Sequence, residues 1–128
     1  AKDIADMIMD RVKTEDAIPY WDYDAPVTKE TPRDVSAASV TASAMIELST
    51  MVPDGLKYLD YAEKILKSLS SDAYLAKVGD NQGFILMHSV GSLPNGSEID
   101  TPLNYADYYY LEALKRFMDL KGINYQNI

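Results

Sequence analysis

The segment DVSAASVTASAMIELS, residues 34–49, decides the fold class of this chain. The carboxylate of Asp34 can accept hydrogen bonds from uncapped backbone amides, so it predicts a helix from Val35 to about Ser49. Serine, alanine and threonine occupy nearly every face of the first half of this helix. Because small side chains let neighbouring helices approach closely, we expect the helix on the inside of a helical assembly.

Two further helical patterns follow this segment. Leucines and an alanine recur at three- and four-residue steps over 56–69, which indicates an outer helix with one apolar stripe. A final helix is predicted over 104–120, and tyrosines crowd its first turns. The alternation of inner and outer helices is typical of an α/α toroid, and a helix bundle or a solenoid is also compatible with it. The predicted apolar stripe consists of Leu56, Leu59, Ala62, Leu66 and Leu69.

The chain opens inside a helical pattern. Ile4, Ile8 and Val12 lie at four-residue steps, Met7 lies beside them, and no initiator methionine precedes them. We therefore expect the chain to be a fragment of a larger domain. The apolar run at 83–88 is long enough for a strand and too short for a full helix.

Composition limits the functions that the chain can have. Of its 128 residues, 47% are hydrophobic, which is enough apolar material for one core. The net charge of −8 argues against nucleic-acid binding, since such binding depends on clustered lysine and arginine. No apolar run approaches the roughly 20 residues of a membrane helix. The absence of cysteine excludes thiolate chemistry and leaves the cellular compartment undetermined. With only one histidine, the sequence predicts no metal site.

The run IPYWDYDAP, residues 18–26, carries the first candidate binding residues, Trp21 and Tyr23. Its prolines exclude a helix, so the aromatic rings lie in a loop. Aromatic faces of this kind stack on sugar rings, although Trp21 can equally anchor the loop to the core. Arg33 could hold a ligand carboxylate through two donors, while a salt bridge or a stacking contact is the more common role at this position.

The segment HSVGSLPNGSEIDTPLNYADYYY, residues 88–110, combines the only histidine, a loop rich in glycine and serine, carboxylates and tyrosines. This mixture favours a pocket for a polar, ring-shaped ligand, because hydroxyl groups and carboxylates bind ring edges and aromatic side chains bind ring faces. Each residue also has a structural alternative: loop capping for the carboxylates and core packing for the tyrosines. The candidate ligand contacts here are His88, Ser89, Ser97, Glu98, Tyr105 and Tyr108.

Four blocks of the sequence resemble, in order, the C-terminal part of glycoside hydrolase family 88, the unsaturated glucuronyl hydrolases. The related unsaturated rhamnogalacturonyl hydrolases share the fold, and the WDYDAP and RDVSA motifs favour family 88. The resemblance implies an (α/α)6 barrel, a helical toroid, of which residues 1–128 form a partial domain, about its C-terminal third. The blocks are residues 18–26, PRDVSAASVTAS at 32–43, FILMHSVG at 84–91 and GSEIDTPLNYADYYYLEAL at 96–114.

This resemblance also implies a reaction. Family members remove a 4,5-unsaturated uronic acid from the non-reducing end of oligosaccharides that polysaccharide lyases have produced. An aspartic acid protonates C4 of the vinyl ether while water adds at C5. The two essential aspartates of the family lie upstream of the matched blocks, so we expect no catalytic residue in this chain and no activity from it alone.

The resemblance implies no cofactor, and its implied partner is the unsaturated uronic-acid oligosaccharide. A partial toroid exposes faces that other helices would cover, so the missing N-terminal part or a second copy of the chain is a further expected partner. The alternative function is that of a non-catalytic helical carbohydrate-binding protein, which would use the same aromatic and acidic loops without an acid/base.

Overall fold

The structure, a computed structural model, describes residues 1–124. These residues contain four α helices, two short 3-10 turns and no β strand, only four isolated antiparallel residue pairs. The all-α prediction is confirmed. The apolar run at 83–88 forms no strand, and only Leu86 in it takes part in such a pair, with Leu75. The helices are α1 (Lys2–Arg11), α2 (Val35–Met51), α3 (Leu56–Leu69) and α4 (Asn104–Lys121), and the 3-10 turns are Asn81–Gly83 and Leu93–Asn95.

Helix α2 begins where the sequence predicts it. The Asp34 carboxylate accepts hydrogen bonds from the Ser36 amide at 3.0 Å and from the Ser36 hydroxyl at 2.6 Å. Ala38, Ser39 and Ala42 are fully or almost fully buried between the neighbouring helices. The small side chains therefore allow α2 to pack against both α3 and α4, in agreement with its predicted inner position.

Helix α3 buries three residues of the predicted stripe, Ala62, Leu66 and Leu69, together with two residues outside it. Tyr58 and Ile65 are buried, whereas Leu56 is 68% exposed and Leu59 only partly buried. The start of α3 packs closely against the end of α2, since a Cβ atom at Gly55 would be 1.9 Å from the Ser49 carbonyl oxygen.

Helices α2 and α4 run parallel, with their N-termini at the same end. Ser43 of α2 donates a hydrogen bond to Glu112 of α4, and Glu47 forms an ion pair with Arg116 at 3.0 Å. Each of the two long loops, residues 12–34 and 70–103, leads into one of these N-termini. The fold therefore brings both candidate binding segments to one end of the inner helices.

Candidate functional site

Asp34 joins the two long loops at the N-terminus of α2. Its backbone amide donates to the Pro19 carbonyl at 3.0 Å, and its carboxylate accepts from the Val90 amide at 3.3 Å. The amide of Val35 donates in turn to the His88 carbonyl at 3.2 Å. We call residues 12–34 the first loop and residues 70–103 the second loop; the backbone amide and the carboxylate of Asp34 together tie both loops to the same helix end.

The first loop presents Trp21 and Tyr23 at neighbouring hollows. The Trp21 amide donates to the Pro32 carbonyl at 3.0 Å, which closes the loop, and the indole is partly buried. Tyr23 is 36% exposed and lines a cleft of about 690 Å³ together with Tyr20 and Arg33. Trp21 and Tyr23 share a second hollow of about 400 Å³. Burial raises the pKa of Tyr23, so its hydroxyl stays protonated.

Arg33 has partners within the first loop. Its guanidinium lies 4.5 Å from the centre of the Tyr20 ring, donates to the Ile18 carbonyl and forms a salt bridge of 3.3 Å with Asp16. These contacts correspond to the structural alternative that the sequence left open. Arg33 nevertheless borders the 690 Å³ cleft and a third cleft of about 460 Å³, so its side chain forms part of the wall between them.

The second loop holds His88 at that third cleft. The Nδ1 atom of His88 lies 2.6 Å from a carboxylate oxygen of Asp100, and Tyr74 contacts the imidazole edge to face, with ring centres 6.3 Å apart. The next residue, Ser89, is completely buried, and its hydroxyl has no hydrogen-bond partner among the described residues. Ser89 therefore lies behind the cleft wall, because its backbone pairs with that of Thr101 in the interior of the loop.

Glu98 and Tyr105 meet at the N-terminus of α4. Glu98 packs so closely over Gly91 that a Cβ atom there would lie 2.0 Å from a Glu98 carboxylate oxygen. Tyr105 is 41% exposed and lies near Ser36. Partial burial, followed by the nearby carboxylates of Asp34 and Glu98, raises the pKa of Tyr105. The site thus combines a phenol that remains a donor with a carboxylate that accepts.

The remaining candidates lie at the edges of this arrangement. Ser97 is exposed in the turn of the second loop, where its backbone pairs with Ser92. Tyr108 is 61% exposed and packs edge to face against Tyr109, with ring centres 5.1 Å apart. Tyr110, by contrast, is buried and shares a hydrogen bond of 2.8 Å with Ser70. The tyrosine cluster is therefore divided between the surface and the core.

Two carboxylates that shape the site were not singled out as ligand contacts by the sequence. Asp107 accepts from the amides of Ile85 and Leu86 at 2.8 and 2.9 Å, which fixes the second loop to α4. Asp16 accepts from the Tyr74 hydroxyl at 2.6 Å. Asp107 lies among the tyrosines of the last helix, where an inward-facing carboxylate needs a partner. Nothing in the local sequence marks Asp16, because Arg33 and Tyr74, two of the partners of its carboxylate, come from distant parts of the chain.

Asp16 has a perturbed pKa. Burial alone would raise it, but the Tyr74 hydroxyl, the Ile18 amide and the Arg33 guanidinium together hold it below its usual value. The carboxylate is therefore ionised wherever the protein is folded near neutral pH. Within residues 1–124, no three histidine, cysteine, aspartate or glutamate side chains form a group that could hold a metal ion. No helix in the same range has the length and apolar character needed to cross a membrane.

Comparison with known proteins identifies this arrangement of helices and loops. No protein-family model matches the chain. The unsaturated glucuronyl hydrolase of Formosa agariphila is 48% identical over 106 residues, which are 83% of this chain and 26% of that protein. Among solved structures, an unsaturated glucuronyl hydrolase specific for heparin superposes with a TM-score of 0.93 and 60% identity over 96% of this chain.

A more distant solved structure shows the same helices. The unsaturated glucuronyl hydrolase of Bacillus sp. GL1 superposes with a TM-score of 0.82 and 26% identity over 95% of this chain. The chain spans only about a quarter to a third of the length of these relatives: 26% of the Formosa protein, 33% of the heparin-specific one and 32% of the Bacillus one. Over the part that it spans, the chain belongs to the unsaturated glucuronyl hydrolases, glycoside hydrolase family 88, and its helices form part of their (α/α)6 barrel.

Proposed function

We propose that this chain is part of an enzyme that removes a 4,5-unsaturated uronic acid from the non-reducing end of an oligosaccharide. The observation that carries the proposal is the 60% identity and the TM-score of 0.93 to a solved unsaturated glucuronyl hydrolase. The two loops at the N-termini of α2 and α4 add aromatic rings, carboxylates and hydroxyl groups around clefts of a size that suits small ligands.

Heparin-derived oligosaccharides are the substrate class that we propose. The solved relative with 60% identity is described as specific for heparin. Relatives named for unsaturated chondroitin disaccharides are less similar, and the first of them is 32% identical over 107 residues. Because pocket walls determine such preferences, the more similar relative is the better guide to the sugar that these loops bind.

The binding roles follow from what each exposed side chain can do. Trp21 and Tyr23 offer faces on which sugar rings stack. Tyr105 donates a hydrogen bond, and Glu98 accepts one from a sugar hydroxyl. Arg33 and Ser89 support the cleft walls rather than contact the sugar, since their side chains are engaged or buried. The exposed or partly buried candidates that complete the binding surface are His88, Ser97 and Tyr108.

The proposed chemistry is hydration of the vinyl ether. A carboxylic acid delivers a proton to C4 of the unsaturated ring, and a water molecule that loses a proton to the same group adds its oxygen at C5. The resulting hemiketal opens and releases the remaining sugar as an alcohol. We place the acid/base aspartates in the rest of the barrel, so the residues of this chain bind and orient the substrate.

A chimera tests the proposal. The matching third of the heparin-specific relative is replaced by this chain, and the loss of enol absorbance from an unsaturated heparin disaccharide is followed. We expect the folded chimera to hydrolyse the disaccharide, while this chain alone does not. A chimera that unfolds cooperatively on heating but lacks activity would contradict the proposed function. Turnover by this chain alone would contradict the placement of the catalytic aspartates elsewhere.

A further inference from the structure

The pairing of His88 with Asp100 goes beyond an ordinary surface ion pair. The imidazole is 43% exposed and the carboxylate 59% exposed, and exposed pairs of this kind contribute little to stability. The Nδ1–Oδ1 distance of 2.6 Å is nevertheless that of a good hydrogen bond. Something other than mutual attraction must therefore hold the two side chains together.

The backbone provides that support. Both residues have positive φ angles, 68° at His88 and 50° at Asp100, a conformation that is uncommon for residues with a side chain. The residues that follow them, Ser89 and Thr101, exchange two backbone hydrogen bonds of 2.9 and 3.0 Å. These two hydrogen bonds fix the two segments of the second loop at the spacing that the imidazole and the carboxylate need.

The rest of the imidazole environment also restricts the ring. The His88 carbonyl accepts from the Val35 amide, so its backbone is attached to the N-terminus of α2. The Tyr74 ring packs against the imidazole at an interplanar angle of 82°. Both His88 and Asp100 border the 460 Å³ cleft, whose other wall includes Lys29 and Arg33 of the first loop.

The chemistry of the pair determines which nitrogen faces a ligand. A neutral imidazole carries one N–H group, and an ionised carboxylate can only accept hydrogen bonds. With Asp100 at Nδ1, the proton resides on Nδ1 and the lone pair remains on Nε2. We propose that Asp100 is a positioning residue, which fixes the orientation and tautomer of His88 so that Nε2 accepts a hydrogen bond from a sugar hydroxyl in the cleft.

This inference rests on the proposed function, and its first test needs no ligand. The chain contains one histidine, so ¹⁵N NMR of the imidazole reports His88 without ambiguity. In the neutral form of the imidazole, we expect the proton on Nδ1 in the unsubstituted chain. Asp100→Ala should give a mixture of both tautomers. The control Asp72→Asn changes an exposed carboxylate of the same loop and should leave the spectrum unchanged.

The second test uses an unsaturated heparin disaccharide, titrated against the unsubstituted chain, Asp100→Ala, His88→Ala and Asp72→Asn. We expect Asp100→Ala and His88→Ala to bind the disaccharide about threefold to tenfold more weakly, which is the effect of one hydrogen bond. The control Asp72→Asn should bind it as the unsubstituted chain does. A proton on Nε2 in the unsubstituted chain, or unchanged affinity in both variants, would overturn the inference. Failure of the unsubstituted chain to bind, together with failure of the chimera to hydrolyse the disaccharide, would instead overturn the proposed function.

Discussion

Ser43 of α2 donates a hydrogen bond of 2.5 Å to Glu112 of α4, across a sequence separation of 69 residues. Arg116, one turn further along α4, donates to the Ser43 carbonyl at 3.0 Å and forms an ion pair with Glu47 at 3.0 Å. Ser36 and Tyr105, which lie near each other close to the N-termini of α2 and α4, have the same sequence separation. The register of the two inner helices is therefore fixed by polar contacts along their whole shared length.

Replacing Ser43 tests the contribution of this contact. Ser43→Ala leaves the partly buried Glu112 carboxylate without one of its donors, and we expect the free energy of unfolding to fall by about 1–3 kcal/mol. Urea denaturation measures the loss. Ser97→Ala, at an exposed turn, serves as the control and should change stability by less than about 0.5 kcal/mol. Equal stabilities of the two variants would show that the polar contact does not set the register.

Gly55 tests the packing between the end of α2 and the start of α3. Its φ of −62° suits alanine, so the cost of Gly55→Ala comes from the collision of the new methyl group with the Ser49 carbonyl. We expect a loss of about 1–3 kcal/mol, the usual penalty of overpacking. The matched change Gly79→Ala meets no atom within 4 Å but has an unfavourable φ of +92°.

The two glycine variants should therefore differ in kind. Gly79→Ala is expected to lose about 1 kcal/mol from backbone strain without altering the helix packing. Gly55→Ala should in addition change the environment of the buried Tyr58, which near-UV circular dichroism detects. An unaltered near-UV spectrum of Gly55→Ala would mean that α3 accommodates the methyl group without rotating.

The sequence predicted those features of the fold that depend on local chemistry. Asp34 lies beside the amides that it caps, so the start of α2 could be recognised from a few adjacent residues. The full buried face of α3 could not, because Leu56 and Leu59 continue the apolar spacing of the stripe and yet are left exposed or only partly buried by the packing of the folded chain. Sequence spacing alone therefore identified the helix and three of the five residues in its predicted stripe, and it missed the buried Tyr58 and Ile65.

The same distinction holds for the candidate site, whose residue types could be predicted from the sequence and whose contacts could not. The sequence indicated which residue types gather in the two loops, since their aromatic, acidic and hydroxyl side chains are visible directly. It could not assign partners: Arg33 meets Asp16 across 17 residues, and His88 meets Asp100 across 12. Nor could it predict the burial of Ser89, which follows from its pairing with Thr101.

The acid stability of the protein should depend on Asp16. Its pKa is lower in the folded protein than its ordinary value of 3.8, so ionised Asp16 stabilises the fold above pH 3.8. That stabilisation is lost as the pH falls through the folded-state pKa. We expect Tyr74→Phe, which removes a hydrogen bond to the carboxylate, to make the chain less stable at pH 7 and to reduce the decline below pH 4.

Urea denaturation of both proteins between pH 7 and pH 2.5 measures this difference. The two unfolding free energies should converge at low pH, because the protonated carboxyl group no longer benefits from the hydroxyl donor. Tyr109→Phe provides a control, since the edge-to-face contact of its ring with Tyr108 does not require the hydroxyl. A gap between Tyr74→Phe and the unsubstituted chain that stays constant with pH would assign the effect to packing rather than to Asp16.

A substitution at Tyr105 distinguishes an effect on ligand binding from an effect on stability. Tyr105→Phe keeps the aromatic ring and removes a partly exposed hydroxyl near Ser36 and Glu98, so the core should be unaffected. We expect an unsaturated heparin disaccharide to bind about threefold to tenfold more weakly, at nearly unchanged thermal stability.

Tyr110→Phe is the matched change in the same helix, and it should behave in the opposite way. The Tyr110 side chain is buried, and its hydroxyl shares a hydrogen bond with Ser70. Its loss should lower the free energy of unfolding by about 1 kcal/mol and leave disaccharide affinity unchanged. Calorimetric titration and thermal unfolding of both variants distinguish the two roles. If both variants lost only stability, Tyr105 would belong to the structural tyrosines, and the binding surface would have to lie nearer to Trp21 and Tyr23.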